Sequence, residues 1–459
     1  MSEFHIIGGH KIGGTITAQG NKNEALPVLC AALMNPGGVT IRNVPQIEDI
    51  KNLLKIIEAV GAEITTLEDG HSYRIITKDI KMSELPAELV AGLRGSITLL
   101  GPLLARAKKV FLPRPGGDKI GRRRVDTHLL ALSALGAKVE VFNDGYMLEA
   151  ETLKGTAILL DEASVTGTEN AIMAAACAEG VTLIENAASE PHVQGLCRFL
   201  IAQGVTIEGV GSNMLKIHGC GGYENLKAAD HTIGPDYLEI GSFIAMSAMT
   251  GGDLVVQDVN PIDLRMIKFV FERVGINWRY MVRGGTEVGA AMDGGAPTHE
   301  REGKGAAGSG HIVDLVMKSP YALKIETDVH GEIPKIDDAP WPMFPADLIS
   351  IILTVATQCT GTVLIHEKLF ESRLYFTDKL MGMGAQIVLC DPHRAVIIGP
   401  SKLYGSRMTS PDIRAGMALV IAALAAEGES VIQNIVQVDR GYENIDARLR
   451  SLGAKIERI

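Results

Sequence analysis

The sequence predicts an α/β fold built from six repeated units, divided into two domains of three. Three observations predict it. An apolar helix-like run that ends in Gly plus a small residue, followed by a short β-like run, recurs six times. A strand-like run stands about twenty residues before each of those glycines. The chain, at 459 residues, is too long for one ordinary core.

The phrase appears first at Ile56-Ile57-Glu58-Ala59-Val60-Gly61-Ala62 and returns around Gly136, Gly204, Gly275, Gly384 and Gly453. These glycines are separated by 75, 68, 71, 109 and 69 residues. Each is expected at a helix C-terminus in the left-handed region, where a side chain is disfavoured. The upstream strands are expected at 39–41, 110–112, 181–184, 254–256, 363–365 and 431–432, with extra short strands at 73–76 and 395–398. A further helix precedes most of them, as at 25–34, 170–179, 349–357 and 415–427. Helices alternating with strands in this way indicate α/β units. The spacing of 109 exceeds its neighbours by roughly 38 residues; the excess includes 283–310, rich in Gly and Ala, and reads as an exposed insertion.

A hydrophobic content of 46% with 21% charged residues is that of a globular protein, and 51 glycines imply many tight turns. A net charge of −10 argues against a nucleic-acid partner held by phosphate contacts. The six cysteines are scattered with no C-x-x-C pair, so a disulfide framework or zinc site is not expected. The first fifteen residues have no apolar core of a signal peptide, and the longest apolar run, 415–426, is too short to span a bilayer. The expected location is cytoplasmic.

The segment 113–128 (PRPGGDKIGRRRVDTH) stands apart. Its prolines and glycines forbid regular structure before Gly121, and Arg122, Arg123 and Arg124 crowd beside Asp118 and Asp126. The starts of the repeated helices are equally informative. Ser164, Asp236 and Asp412 read as N-caps. Lys22, Arg94 and Arg414 do not, because a cation near a helix N-terminus opposes the macrodipole. They point to a bound anion that dipole and cation both attract. Arg373, Arg440 and Arg123 stand after strands of their units, and guanidinium forks suit carboxylate or phosphate.

Gly20-Asn21-Lys22-Asn23-Glu24, Leu93-Arg94-Gly95-Ser96, the Pro-Gly-Gly loop with Arg123-x-Val125-Asp126-x-His128, Phe344-Pro345-x-Asp347, Phe370-Glu371-Ser372-Arg373, Asp412-x-Arg414 and Asp439-Arg440-Gly441 come in one order over nearly the whole chain. In this they resemble the enolpyruvyl transferase family, on its UDP-sugar branch. The resemblance implies a two-domain inside-out α/β barrel fold of βαβαββ units with helices packed inside and the active site in the interdomain cleft. It implies one domain over 22–232, carrying a mobile loop at 113–124, and a second from 1–21 plus 233–459. It implies no metal and no cofactor.

The implied reaction moves the enolpyruvyl group of phosphoenolpyruvate to the 3-hydroxyl of UDP-N-acetylglucosamine, the first committed step of peptidoglycan precursor synthesis. The implied partners are these two small molecules, with neither nucleic acid nor membrane. Lys22, Asn23, Arg94, Arg123, Arg373, Asp412, Arg414 and Arg440 match positions around phosphoenolpyruvate. Asn23, Arg94, Arg123, Arg124, Val125, Asp126, Thr127, Ser164, Val165, Asp347 and Leu369 match positions around the UDP-sugar. Asp347, as candidate base, Asp118 and Lys22 match catalytic positions. Two departures stand out. Asp118 replaces the family's usual loop cysteine, as it does in some members, so proton transfer remains available but thiolate chemistry does not. Glu162 stands where many members place a lysine near the diphosphate. The alternatives are another acceptor, such as a uridine nucleotide or shikimate 3-phosphate, and a non-catalytic binding paralogue.

Overall fold

The computed structural model describes residues 2–82, 84–117, 120–282, 286–287 and 313–459. Most of the insertion expected at 283–310 lies outside the described residues, as does Asp118. The chain separates into two compact units. One comprises Gly20–Asp118 and Arg123–Gly234; the other comprises Met1–Gln19, Lys119–Arg122 and Pro235–Ile459.

Each unit repeats one plan three times. In the Gly20–Gly234 unit the sheets run in the order Ala229–Thr232, Val39–Arg42, Tyr73–Ile76, Glu63–Thr66; then Lys109–Pro113, Gly145–Glu149, Lys138–Val141; then Thr206–Glu208, Met214–His218, Val181–Glu185, Ala157–Leu159. The helices Lys22–Ala32, Leu100–Ala107 and Val165–Cys177 lie inside. The other unit has three sheets as well, and its helices Tyr237–Thr250, Ile349–Ala356 and Ile413–Ala425 pack on one another. Strand pairing is mixed in five of the six sheets, because one strand of each runs parallel to its neighbour while the other pairings are antiparallel. The Lys109–Pro113 sheet is antiparallel throughout.

The sequence separates the inner helices from the outer ones. Residues Ile413 to Leu424 are all buried, and so are Tyr237 to Ala248. A helix apolar on every side must be enclosed, and each fully buried Leu or Ile there contributes about 1.5–3 kcal/mol. Glu48–Val60 is instead amphipathic: Ile50, Leu53, Ile56, Ile57 and Val60 are buried, while Lys51, Lys55 and Glu58 face solvent.

The six repeat glycines have the backbone the spacing requires. Their φ values are +128° (Gly61), +106° (Gly136), +97° (Gly204), +86° (Gly275), +108° (Gly384) and +95° (Gly453). All are left-handed or beyond, where glycine is favoured. All six upstream strands fall within observed ones, as at Val39–Arg42 and Val181–Glu185. The inner helices begin earlier than apolar periodicity suggested, at Lys22, Val165 and Ile413, because polar capping residues start them.

Candidate active site

In the Gly20–Gly234 unit the site residues gather at helix starts. Asn21 caps the Lys22–Ala32 helix, its Oδ1 accepting from the Glu24 N–H at 2.9 Å. That cap fixes Lys22 and Asn23 in the first turn. Lys22 is buried, and its Nζ pairs with Asp49 Oδ2 at 2.6 Å. The cation that opposes the helix dipole is thus balanced by a carboxylate at the start of another helix, Glu48–Val60. Glu24, one residue beyond Asn23, accepts from His231 Nε2 at 2.8 Å and from the Gly234 N–H at 3.2 Å.

Arg94 opens a short 3₁₀ turn, Arg94–Leu99. Its Nη2 donates to the carbonyl oxygens of Arg123 at 2.8 Å and Arg124 at 3.2 Å. One guanidinium therefore ties down the backbone of the arginine run. The Gly116–Gly117 pair is demanded by packing. A Cβ on Gly116 would stand 1.6 Å from the Ala91 carbonyl oxygen, and Gly117 has a φ of +116° against Arg94.

The Asp126–Ala134 helix follows this loop. Arg124 pairs with Asp161 at 2.7 Å and Asp126 at 3.3 Å, with Glu162 farther off at 3.9 Å. Thr127 Oγ1 donates to the other oxygen of Asp161 at 2.7 Å. Val125 precedes this helix, and Ser164 and Val165 start the Val165–Cys177 helix, Ser164 Oγ accepting from the Gly167 N–H at 3.2 Å. Arg124, Asp126, Thr127 and Asp161 thus form one polar cluster.

His128 is buried beneath this cluster. Asn170 Nδ2 donates to its Nδ1 at 2.8 Å, while Asn170 Oδ1 accepts from the Gly101 N–H at 2.8 Å. The Gly101 bond orients the amide, so His128 Nδ1 must accept and Nε2 carries the hydrogen, donating to Thr166 Oγ1 at 3.1 Å. Burial, with Arg94 and Arg123 adding to it, pushes the His128 pKa down to about 3. The imidazole is neutral and structural.

In the other unit Asp347 is the centre. It sits in a 3₁₀ turn, Ala346–Leu348, leading into the Ile349–Ala356 helix. Arg373 Nη1 donates to Asp347 Oδ1 at 3.0 Å and to the Ala346 carbonyl at 2.6 Å. Arg414 Nε donates to Asp347 Oδ2 at 3.1 Å. Both guanidiniums are almost fully buried, whereas Asp347 keeps 27% of its side chain exposed. Burial opposes the Arg414 charge, but Tyr442, Asp347 and Asp236 outweigh it and raise its pKa above the ordinary arginine value. Asp412 caps the Ile413–Ala425 helix, its Oδ1 accepting from the Arg414 and Ala415 N–H groups at 2.8 and 2.9 Å.

Arg440 donates to Gln437 Oε1 at 2.9 Å. Leu369 is 43% exposed, and its N–H donates to Asp338 Oδ2 at 3.3 Å. The Ile120 carbonyl accepts from the Ser372 N–H at 3.1 Å, and the Arg122 N–H donates to Glu371 Oε2 at 3.0 Å.

Sequence reasoning brought together Asp347, Arg373 and Arg414 in one unit and Arg94, Arg123 and Arg124 in the other. It missed Asp49, the partner of Lys22, Asp161, the partner of Arg124, and the pair Asp338 and Glu367. The only signal for Asp49 was an Asp in the first turn of an amphipathic helix; Asp161 was visible only as the residue before Glu162.

The chain matches the model of the EPSP synthase (3-phosphoshikimate 1-carboxyvinyltransferase) family over residues 6–449. Two relatives named UDP-N-acetylglucosamine 1-carboxyvinyltransferase are similar along their length. The Treponema denticola protein is 49% identical, covering 100% of this chain and 99% of its own. The Bradyrhizobium diazoefficiens protein is 48% identical, covering 100% and 98%. Among solved structures, the enolpyruvyl transferase NikO from Streptomyces tendae has a TM-score of 0.83 at 22% identity, covering 100% of this chain and 98% of its own. An EPSP synthase from Acinetobacter baumannii has a TM-score of 0.73 at 18% identity, with both chains fully covered. These two likenesses bear on the fold.

Proposed function

The chain belongs to the EPSP synthase family of enolpyruvyl transferases, and from that premise we propose that it transfers the enolpyruvyl group of phosphoenolpyruvate to the 3-hydroxyl of UDP-N-acetylglucosamine, releasing phosphate. It is a transferase of peptidoglycan precursor synthesis. The observation that carries the reading is full-length identity of 45–49% to relatives named for this activity.

The chemistry fits the residues. A proton must reach the methylene carbon of phosphoenolpyruvate, and the acceptor hydroxyl must lose one. The hydroxyl oxygen then bonds to the enol carbon, giving a tetrahedral ketal. Collapse breaks the bond to the phosphate oxygen and expels inorganic phosphate as the methylene proton leaves. Phosphoenolpyruvate is anionic at both ends, so cations must hold it. Arg373, Arg414 and Arg440, with Lys22, Asn23, Arg94, Arg123 and the helix cap Asp412, are the proposed phosphoenolpyruvate residues. Asp347, partly exposed and held on both oxygens, is the proposed base for the acceptor hydroxyl. An anion that engages Arg373 and Arg414 competes with Asp347 for them and so frees a carboxylate oxygen to take the proton. Asp118 is the proposed acid of the loop.

Arg124, Val125, Asp126, Thr127, Ser164, Val165 and Leu369 are the proposed UDP-sugar residues. Glu162 stands 3.9 Å from Arg124, so a diphosphate beside it would meet a carboxylate. The test is phosphate release from phosphoenolpyruvate with a panel of acceptors. Turnover with UDP-N-acetylglucosamine supports the reading. Turnover only with UMP or shikimate 3-phosphate, or none at all, overturns it.

A further inference from the structure

Glu367 and Asp338 are two acids with no exposed surface. Glu367 follows the strand Gly361–His366, and Asp338 follows Lys335–Asp337, which pairs with that strand in parallel. The shared register brings both carboxyls to the same end of the sheet, beside the segment 368–373. Asp338 accepts the backbone N–H groups of Lys368 and Leu369. Glu367 Oε1 accepts the Phe370 N–H at 3.2 Å. Glu367 Oε2 meets no donor and lies 3.9 Å from Arg373 Nε, while the Asp338 carboxylate is within hydrogen-bonding reach of the same side chain. Two carboxylates in contact away from water repel unless one of them carries a proton.

We propose that Glu367 is a positioning residue that holds one proton and donates it in a hydrogen bond to Asp338, which keeps Arg373 directed at Asp347 and the substrate anion. The inference rests on the transferase reading given above. The charged and titratable groups facing Glu367 are Arg373, Asp338 and Asp347, and His393 Nδ1 lies 2.7 Å from its carbonyl oxygen. Burial pushes the Glu367 pKa up to about 9; Arg373 opposes this, and Asp338 and Asp347 add to it. At neutral pH Arg373 therefore has one full carboxylate partner at hydrogen-bond distance, Asp347. When Glu367 loses its proton, a second negative charge appears beside Arg373 Nε. It repels Asp338, loosens the backbone at 368–370 and competes with phosphoenolpyruvate for the guanidinium.

The test compares the unmodified protein with Glu367→Gln and Glu367→Ala from about pH 7 to about pH 10, reading KM for phosphoenolpyruvate and kcat separately. Gln keeps the acceptor for Phe370 and presents a permanent donor to Asp338, so it mimics the protonated acid. In the unmodified protein KM is expected to rise by about tenfold per pH unit above the titration, with a smaller change in kcat. In Glu367→Gln KM stays flat and the neutral-pH activity is retained; in Glu367→Ala KM is raised at every pH. A Glu367→Gln profile that rises in parallel with the unmodified protein, or a Gln variant as impaired as the Ala variant, overturns the proposal. An infrared carbonyl band of a protonated carboxyl, present at neutral pH and lost in Glu367→Gln, reads the proton without turnover; its absence also overturns it. A protein that shows this band but releases no phosphate with any acceptor fails the transferase reading and leaves the Glu367 proton standing.

Discussion

Asp347 forms an ion pair, Oδ2 to Nε at 3.1 Å, with Arg414, which stands in the first turn of a helix buried from Ile413 to Leu424. Arg373 holds the other carboxylate oxygen at 3.0 Å. The proposed base is thus positioned by the same cations that are proposed to bind the substrate anion. Asp347→Asn should lower kcat by about 10²–10⁴. It should not weaken phosphoenolpyruvate binding, because both guanidiniums lose a competitor. Phosphate-release kinetics together with equilibrium binding of phosphoenolpyruvate check both halves; a variant that keeps kcat removes Asp347 from the chemistry.

Lys22 and Asp49 are both buried, at 2.6 Å. Removing one partner of a buried pair strands the other, at a cost of about 3–5 kcal/mol. Asp49→Asn should lower unfolding free energy by an amount in that range at pH 7, read from urea titration. Lys22→Met replaces the charge with a hydrocarbon and removes the cation beside Asp49; its loss of turnover should exceed what its loss of stability explains.

His128 gives the fold a defined acid sensitivity. Its pKa is lowered from 6.5 to about 3. Above pH 6.5 both folded and unfolded states hold it neutral, so its contribution is fully present. As pH falls below that value, the unfolded chain takes up a proton that the folded chain refuses, and stability is lost down to about pH 3. Between pH 7 and pH 4 this one residue should account for a loss of about 3 kcal/mol. Replacing it by Gln should shrink the pH dependence of urea unfolding by that much, and an unchanged slope would count against the neutral assignment.

The repeat glycines differ in what surrounds them. At Gly204 a Cβ would meet only the Lys227 side chain at 3.4 Å, whereas at Gly275 it would stand 1.9 Å from the Ala322 carbonyl oxygen. Gly204→Ala should cost about 1 kcal/mol from its positive φ alone. Gly275→Ala should cost several times that, since backbone must move. Thermal melts of the two variants side by side make the comparison.

Asp118 lies outside the described residues, and its prediction comes from chemistry alone. An epoxide that alkylates the loop cysteine of family members should leave this protein active and the peptide spanning 113–124 unlabelled, because that loop carries no thiol. Asp118→Cys should gain one covalent adduct and become sensitive. Labelling of the unmodified protein at this loop would sink the prediction.

Much of the architecture was legible because repetition amplifies weak local signals. A single Gly after an apolar run says little, but six at similar spacing forecast six positive φ values, and all six occur. The placement of the candidate cations was legible for a related reason: Lys22, Arg94 and Arg414 stand at helix starts, where their charge is unfavourable without a partner. What the sequence hid were partners distant along the chain. Asp49 meets Lys22 across 27 positions, and Asp161 meets Arg124 across 37. Nothing in the sequence marked Glu367, which the fold encloses beside Asp338.

The three inner helices of each unit have one further consequence. Repetition supplies near-equivalent backbone stations, but a sugar nucleotide and phosphoenolpyruvate have no threefold symmetry. The molecule breaks its own symmetry at one small place, the opening turn of each inner helix. Lys22 occupies one station, Ser164 and Val165 another, Asp236 a third and Arg414 a fourth. Behind those turns the helices are mostly apolar packing, with a few buried polar groups such as Asn170 and Ser242 tied to fixed partners. Exchanging opening turns between stations, each moved with its buried partner such as Asp49 for Lys22, is therefore a route to new acceptors.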